Sequence, residues 1–355
     1  MGTTPDSGGQ FFLARESFEK NPAKGSQMKK IFLVMTLLSG IAVAASTGYH
    51  KTNEIKIGGA GSWDYLNVDV AARRLYVSHQ SKVEVIDIDA GKKVGEVLNT
   101  AGVHGIAVAP ALNKGFVSDG STNDVTVFDL KTLQPIGTPI KVGTNPDAIL
   151  FEPMSSRVLA FNARSNNISF IDTKTSAVVA TAALSGNPEF AVHDDKGTVY
   201  NNVESSAMIA VIDAAKGTVT KEFSIAPCLG PTGLAIDTKA RKLFSVCSNR
   251  MMVISDPDTG KVVTTVPIGA GPDAAAFDPG TGLVFSSNGG DGTMTIVQSN
   301  GGKYEVVENL PTQARSRTMT LDEKTHNLFL SAVDPAPGGG RGSAPDSFKV
   351  LVFSK

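Results

Sequence analysis

DAILFEPMSSRVLAFNARSNNISFIDTKTSAVVAT, running from Asp147 to Thr181, is four short apolar segments separated by turns. Asp147-Ala-Ile-Leu-Phe151 reads as a first strand and Glu152-Pro-Met-Ser-Ser156 as the turn that follows it. Arg157-Val-Leu-Ala-Phe161 is a second strand ending at Asn162, and Asn167-Ile-Ser-Phe-Ile171 alternates apolar and polar residues with period two. Asp172-Thr-Lys-Thr175 turns the chain into a fourth strand, Ala177-Val-Val-Ala-Thr181. Four antiparallel strands of this length make one blade of a β-propeller.

The same unit recurs along the chain. An apolar strand closes on an acidic or turn residue at Asp69, Ala109, Glu152, Asp194, Asp237, Asp278 and Asp322, with spacings of 40, 43, 42, 43, 41 and 44. A period near forty-two residues marks an array in which no unit buries its apolar face alone. Third strands return as Val83-Glu-Val-Ile-Asp87, Val125-Thr-Val-Phe-Asp129, Ile209-Ala-Val-Ile-Asp213 and Met252-Val-Ile-Ser-Asp256. An Asp at such a turn hydrogen-bonds backbone amides two residues on and favours a tight reversal. The fold expected is all-β, a seven-bladed propeller over residues 45–355. The last unit has only three strands before the chain ends, and Lys51-Thr-Asn-Glu-Ile-Lys-Ile57 supplies the fourth from the other terminus. That pairing would close the ring, whose open form would leave sheet edges bare.

Composition is that of an ordinary soluble chain: 41% hydrophobic and 19% charged, with 36 Gly and 18 Pro to punctuate many short strands. Met28-Lys-Lys30 precedes the apolar run Ile31 to Ala44, which ends in the small-residue site Ala42-Val-Ala44. This is the pattern of a secretory signal peptide over 28–44, too short for a membrane span of about 20 apolar residues. Residues 1–27, polar and aperiodic, are an extension upstream of the more natural start at Met28. Cleavage after Ala44 leaves 28 basic and 31 acidic residues, a net charge of −3. The expected product is a periplasmic or secreted monomer with no transmembrane anchor. Nothing in it forms an electrostatic footprint for nucleic acid.

The only cysteines are Cys228 and Cys247. In the blade scheme the first precedes the opening strand of blade 5 and the second ends its neighbour, so both lie at one face. An oxidising compartment permits a disulfide there; two buried thiols are the alternative.

Asn-Pro-Asp147 and Gly-Pro-Asp273 before first strands, Arg74-Leu-Tyr-Val-Ser78, and Leu283-Val-Phe-Ser-Ser-Asn288 resemble the YVTN-repeat (YncE-like) propeller family over residues 51–355. The tetrad itself is not intact, and the strand-end Asn kept at Asn162 and Asn288 is His79, Asp119 and Cys247 elsewhere. The resemblance implies an exported propeller. Some members resemble DNA binders or lactonases.

Residues five before each landmark should ring the channel mouth: Asp64, His104, Asp147, Glu189, Thr232, Asp273 and Arg317. Arg317 would neutralise Asp273 and Asp64, leaving His104, Asp147 and Glu189 on consecutive blades without a cation. Imidazole with two carboxylates suits a divalent metal such as zinc or manganese. A small cationic ligand would relieve the same repulsion, and a water-filled channel with solvated polar ends is the plain alternative. The single tryptophan, Trp63, either stacks a ligand at the mouth or caps the first blade. The Gly- and Pro-rich stretch Asp334 to Pro345 interrupts blade 7 on the mouth side as a lid or solvated loop, with Arg341 near its tip.

No Gly-x-Ser-x-Gly elbow, His-Glu-x-x-His helix or Cys-x-x-Cys site is present, and one Trp cannot make a tryptophan-docking repeat. Asp256-Pro-Asp258-Thr-Gly260 resembles a calcium loop but matches the ordinary turn Asp87-Ile-Asp89-Ala-Gly91. Three functions follow. The leading one is a non-catalytic module that binds a protein or small ligand at the mouth, with no certain cofactor. The second is a lactonase-like or metal-dependent hydrolase using the mouth carboxylates and His104. The third, single-stranded DNA binding, fits poorly with an acidic mouth and 6% aromatics.

Overall fold

A computed structural model describes residues 46–59, 62–338 and 342–355. The extension 1–27, the leader 28–44 and Arg341 lie outside the described residues. Twenty-eight strands form seven four-stranded antiparallel sheets, and each sheet is one blade. The innermost strands are Leu66–Asp69, Val103–Ala109, Pro146–Glu152, Pro188–His193, Pro231–Asp237, Pro272–Asp278 and Met319–Asp322. Each lies beside those of the adjacent blades, and the seventh lies beside the first, so the array closes into a ring. No described helix is long and apolar enough to cross a membrane.

His50–Lys56 is the outermost strand of blade 7, antiparallel to Lys349–Ser354 with His50 opposite Ser354 and Lys56 opposite Lys349. The two ends of the chain therefore share one sheet, and the ring is held by a ladder of backbone hydrogen bonds. Blade 2 is the irregular one. Its outer strand shrinks to Ile140–Lys141, because Pro135 and Pro139 lack the N–H that a longer ladder needs.

The repeating acidic residues cap turns. Asp237 Oδ1 accepts from the backbone N–H of Lys239 and Ala240 at 3.0 and 2.8 Å, and Glu152 accepts from Met154 and Ser155 at 3.0 and 2.7 Å. Asp256 does the same for Asp258 and Thr259 at 3.1 and 2.9 Å, while the Asp258 carboxylate goes to Arg241. That stretch is an ordinary turn. Several of these carboxylates also tie neighbouring blades: Arg73 of blade 1 reaches Asp322 of blade 7 at 2.8 Å, and Arg241 of blade 5 reaches Asp194 of blade 4 at 3.2 Å.

Seven apolar clusters of buried side chains occupy the seven interfaces between blades. The period-two pattern explains this, since alternate residues of each strand face the preceding and following blades. One residue breaks the rule. Tyr65 belongs to blade 1 in sequence but packs in the cluster between blades 3 and 4.

Cys228 and Cys247 form a disulfide, Cα to Cα 5.5 Å, inside the cluster between blades 4 and 5. Closing a loop of that length contributes about 3 kcal/mol in the chain-entropy model. In the blade 7 insertion Pro335 bridges Ser343, and the Ala344 N–H donates to the Asp334 carbonyl at 2.9 Å. Arg315 anchors it through the Gly342 carbonyl at 2.8 Å.

Candidate functional site

Each mouth residue stands just before, or at the start of, its inner strand, and hydrogen bonds between blades fix the backbone of five of them, while the Glu189 carbonyl is held by Asn201 of its own blade at 2.7 Å. Ser118 of blade 2 donates to the Asp147 carbonyl of blade 3 at 2.5 Å. Asn202 of blade 4 donates to the Thr232 carbonyl of blade 5 at 2.9 Å. Ser287 of blade 6 donates to the Arg317 carbonyl of blade 7. Thr318 of blade 7 donates to the Asp64 carbonyl of blade 1 at 2.7 Å, and Tyr65 N–H to the His104 carbonyl at 3.2 Å. Three of these donors, Ser118, Asn202 and Ser287, stand near the end of second strands and so place ring residues from the neighbouring sheet.

Three ring side chains meet. His104 Nδ1 lies 2.7 Å from Asp64 Oδ2 and 3.4 Å from Asp147 Oδ1. One donor atom from each of Asp64, His104 and Asp147 fits within 4.8 Å of the others. Asp147 Oδ1 is buried without a hydrogen-bond partner among the described residues. Ligand bonds of about 2.0–2.2 Å place neighbouring donors about 3.3 Å apart, so this trio needs little movement to hold a tetrahedral ion. Glu189 is not part of it. Its Oε2 instead accepts from the Tyr65 hydroxyl at 3.3 Å.

Arg317 pairs with Asp273 at 2.6 Å and sits 3.7 Å from Asp64 Oδ1. Asp64 is thereby shared between the guanidinium and the imidazole. Thr232 turns its hydroxyl to the Pro272 carbonyl at 3.0 Å and serves as a tie between blades. Trp63 is buried against Phe348, ring centroids 5.9 Å apart, with Arg315 over its face at 5.6 Å. It caps the junction of blades 7 and 1 and presents no free face to a ligand.

Crowding of carboxyls shifts the protons. Burial first, then the Asp64 charge, pushes Asp147 up to about 7. Burial followed by Asp147, Glu204, Asp273 and Asp64 pushes Glu189 to about 9. Asp273 rises by burial to about 6, restrained by Arg317. Burial opposes charge on His104, but the Asp64 hydrogen bond and Asp147 raise it overall. The mouth therefore holds protons where a solvated ring would be fully ionised, the response expected of like charges held together without a cation.

Tyr65 is the side chain that position counting missed. It reaches from blade 1 to Glu189 on blade 4, and its ring packs on Phe190 at 5.2 Å, so it lies across the channel as a bar. A signal was present. The residue after each mouth position is Tyr65, Gly105, Ala148, Phe190, Gly233, Ala274 and Thr318. Two aromatics stand among small residues, and the small ones are required: a Cβ on Gly233 would meet the Ala274 backbone at 2.5 Å.

No family model and no curated protein matches this chain. Among solved structures it is similar to Kuenenia stuttgartiensis hydrazine synthase, at 20% identity and a TM-score of 0.67, over 79% of this chain and 94% of that one. At that identity the likeness is one of propeller fold.

Proposed function

We infer that this chain is an exported propeller of the YVTN-repeat kind, a periplasmic or secreted monomer after cleavage at Ala44. Its channel mouth is a non-catalytic binding site for a divalent cation, or for a small ligand that carries positive charge. The observation that carries this reading is the meeting of His104 Nδ1 with carboxylate oxygens of Asp64 and Asp147 at 2.7 and 3.4 Å. A cation there would replace the proton now shared between imidazole and carboxylate and would engage the unpartnered oxygen of Asp147. One nitrogen and two oxygen donors favour zinc or manganese over magnesium. Nucleic acid is not the partner on this reading, because acidic groups surround the mouth and Arg317 is already paired.

Three protein donors leave a coordination position free, and that is the specific feature favouring a metal-dependent hydrolase as the second reading. Metal analysis and calorimetry with Zn²⁺ and Mn²⁺ on the purified protein test the first. The parent should bind one ion; Asp64→Ala and His104→Ala should lose at least tenfold in affinity, and Glu189→Gln should retain it. Absence of binding by the parent removes the proposal. Turnover of a lactone or aryl ester by the metal-loaded protein, lost in His104→Ala, would favour the second reading.

A further inference from the structure

The last residue but one of the second strand is a serine in blades 1 and 2, Ser78 of Arg74–His79 and Ser118 of Lys114–Asp119. In blades 3 and 5 it is apolar, Phe161 and Val246. Both serines are wholly buried. Ser78 Oγ accepts from the Asp64 N–H at 2.6 Å. Ser118 Oγ accepts from the Gly105 N–H, in the peptide that follows His104, at 2.8 Å, and donates to the Asp147 carbonyl at 2.5 Å. Two serines thus hold the backbone at all three donors of the trio, and one hydroxyl joins the His104 segment to the Asp147 segment. Phe161 offers blade 4 no hydroxyl, and Glu189 of that blade stands outside the trio. Gly120 completes the arrangement. A Cβ on it would lie 2.7 Å from both Cδ2 and Nε2 of His104, so the imidazole fills the place of a side chain there. Nδ1, on the other side of the ring, faces Asp64 and Asp147.

A cation binds tightly to donors already held within about 0.5 Å of its coordination geometry. Loss of a bond that orients a ligating group typically costs about 10- to 100-fold in affinity. We propose, resting on the reading of the mouth as a cation site, that Ser78, Ser118 and Gly120 position its donors without touching the ion. The serines set the separation of donor segments that belong to three different blades. The glycine admits the imidazole and keeps Nδ1 turned toward the two carboxylates.

Calorimetry with Zn²⁺ on the full protein, paired with urea denaturation of the metal-free form, tests this. Ser78→Ala and Ser118→Ala should each lose about tenfold in affinity, and Gly120→Ala, whose methyl displaces the ring, at least as much. Ser286→Ala is the control: it deletes a buried hydroxyl of blade 6 that donates to Asn288 at 2.9 Å, away from the donors. It should fall in urea midpoint as far as Ser118→Ala and keep the parent's affinity. With Co²⁺ as a visible probe, the parent and Ser286→Ala should share one absorption spectrum, which Ser118→Ala and Gly120→Ala should alter. Gly120→Ala removes no hydrogen bond and carries the test where a serine variant lacks a cooperative melt. Parental affinity and spectrum in the folded variants overturn the positioning role and leave the cation site standing. An equal loss of affinity in Ser286→Ala overturns it too, as general loosening. A parent that binds neither ion overturns both this inference and the reading beneath it.

Discussion

The Tyr65 hydroxyl on blade 1 meets Glu189 on blade 4 at 3.3 Å, so a single side chain spans the channel and divides it. Blades 1 and 4 share no sheet edge, and this contact couples them directly. It also gives the buried Glu189 carboxyl a donor. With Glu189 pushed up to about 9, the pair stays neutral at physiological pH, and no buried charge has to be balanced.

Removing the bar should be felt in stability. Tyr65→Phe deletes one hydrogen bond and leaves Glu189 without it, a loss of about 1 kcal/mol. Tyr65→Ala also vacates the ring's packing between blades 3 and 4 and should cost about 3–5 kcal/mol. Urea denaturation followed by fluorescence measures both. A Tyr65→Ala protein as stable as the parent would mean that the ring does not bridge the channel.

Asp119 should make stability depend on pH. It is buried at the end of the second strand of blade 2, with one oxygen accepting from Thr126 at 2.5 Å and the other unpartnered. Asn162 and Asn288 hold the equivalent place in blades 3 and 6, donating to Ser169 at 3.0 Å and Thr295 at 2.9 Å. Burial, with Asp124 nearby, raises Asp119 to about 7, so a carboxylic acid stands where other blades use an amide. The folded state keeps a proton that the unfolded state loses above the ordinary carboxyl range. The stability contributed by this group is therefore complete below about pH 4, declines as pH rises to about 7, and is absent above that, a loss on the order of 4 kcal/mol. Asp119→Asn should melt like the parent near pH 4 and well above it at pH 8. An advantage that does not grow with pH contradicts a protonated Asp119.

Ring closure rests on the pairing of His50–Lys56 with Lys349–Ser354. Deleting residues 46–57 should expose the edge of blade 7, lower the melting temperature strongly and promote self-association. Thermal denaturation with light scattering reads both effects. An unchanged melt would show that the terminal strand is dispensable.

Much of this molecule was legible one residue at a time. Alternating apolar residues such as those of Asn167–Ile171 and turn-capping acids such as Asp237 act locally, and the recurrence of the strand-and-turn unit seven times sets the number of blades. The position of the mouth ring followed from the same count, because each ring residue keeps a constant offset from its turn. Side-chain reach did not follow. Counting left Glu189 beside His104 and Asp147, whereas Asp64 fills that place and Glu189 is taken by Tyr65.

Local order, then, was written in the chain: strand, turn, repeat, and the terminal strand that completes blade 7. What only the tertiary structure decided is which groups meet across the axis. Asp64 and His104 are forty residues apart, and Tyr65 and Glu189 are separated by two intervening blades. Hydrogen bonding and packing within a strand depend on neighbours in sequence, which a repeat displays. Contacts across a channel depend on ring curvature and side-chain length together, and the repeat can mark an outsized residue such as Tyr65 without naming the group it meets.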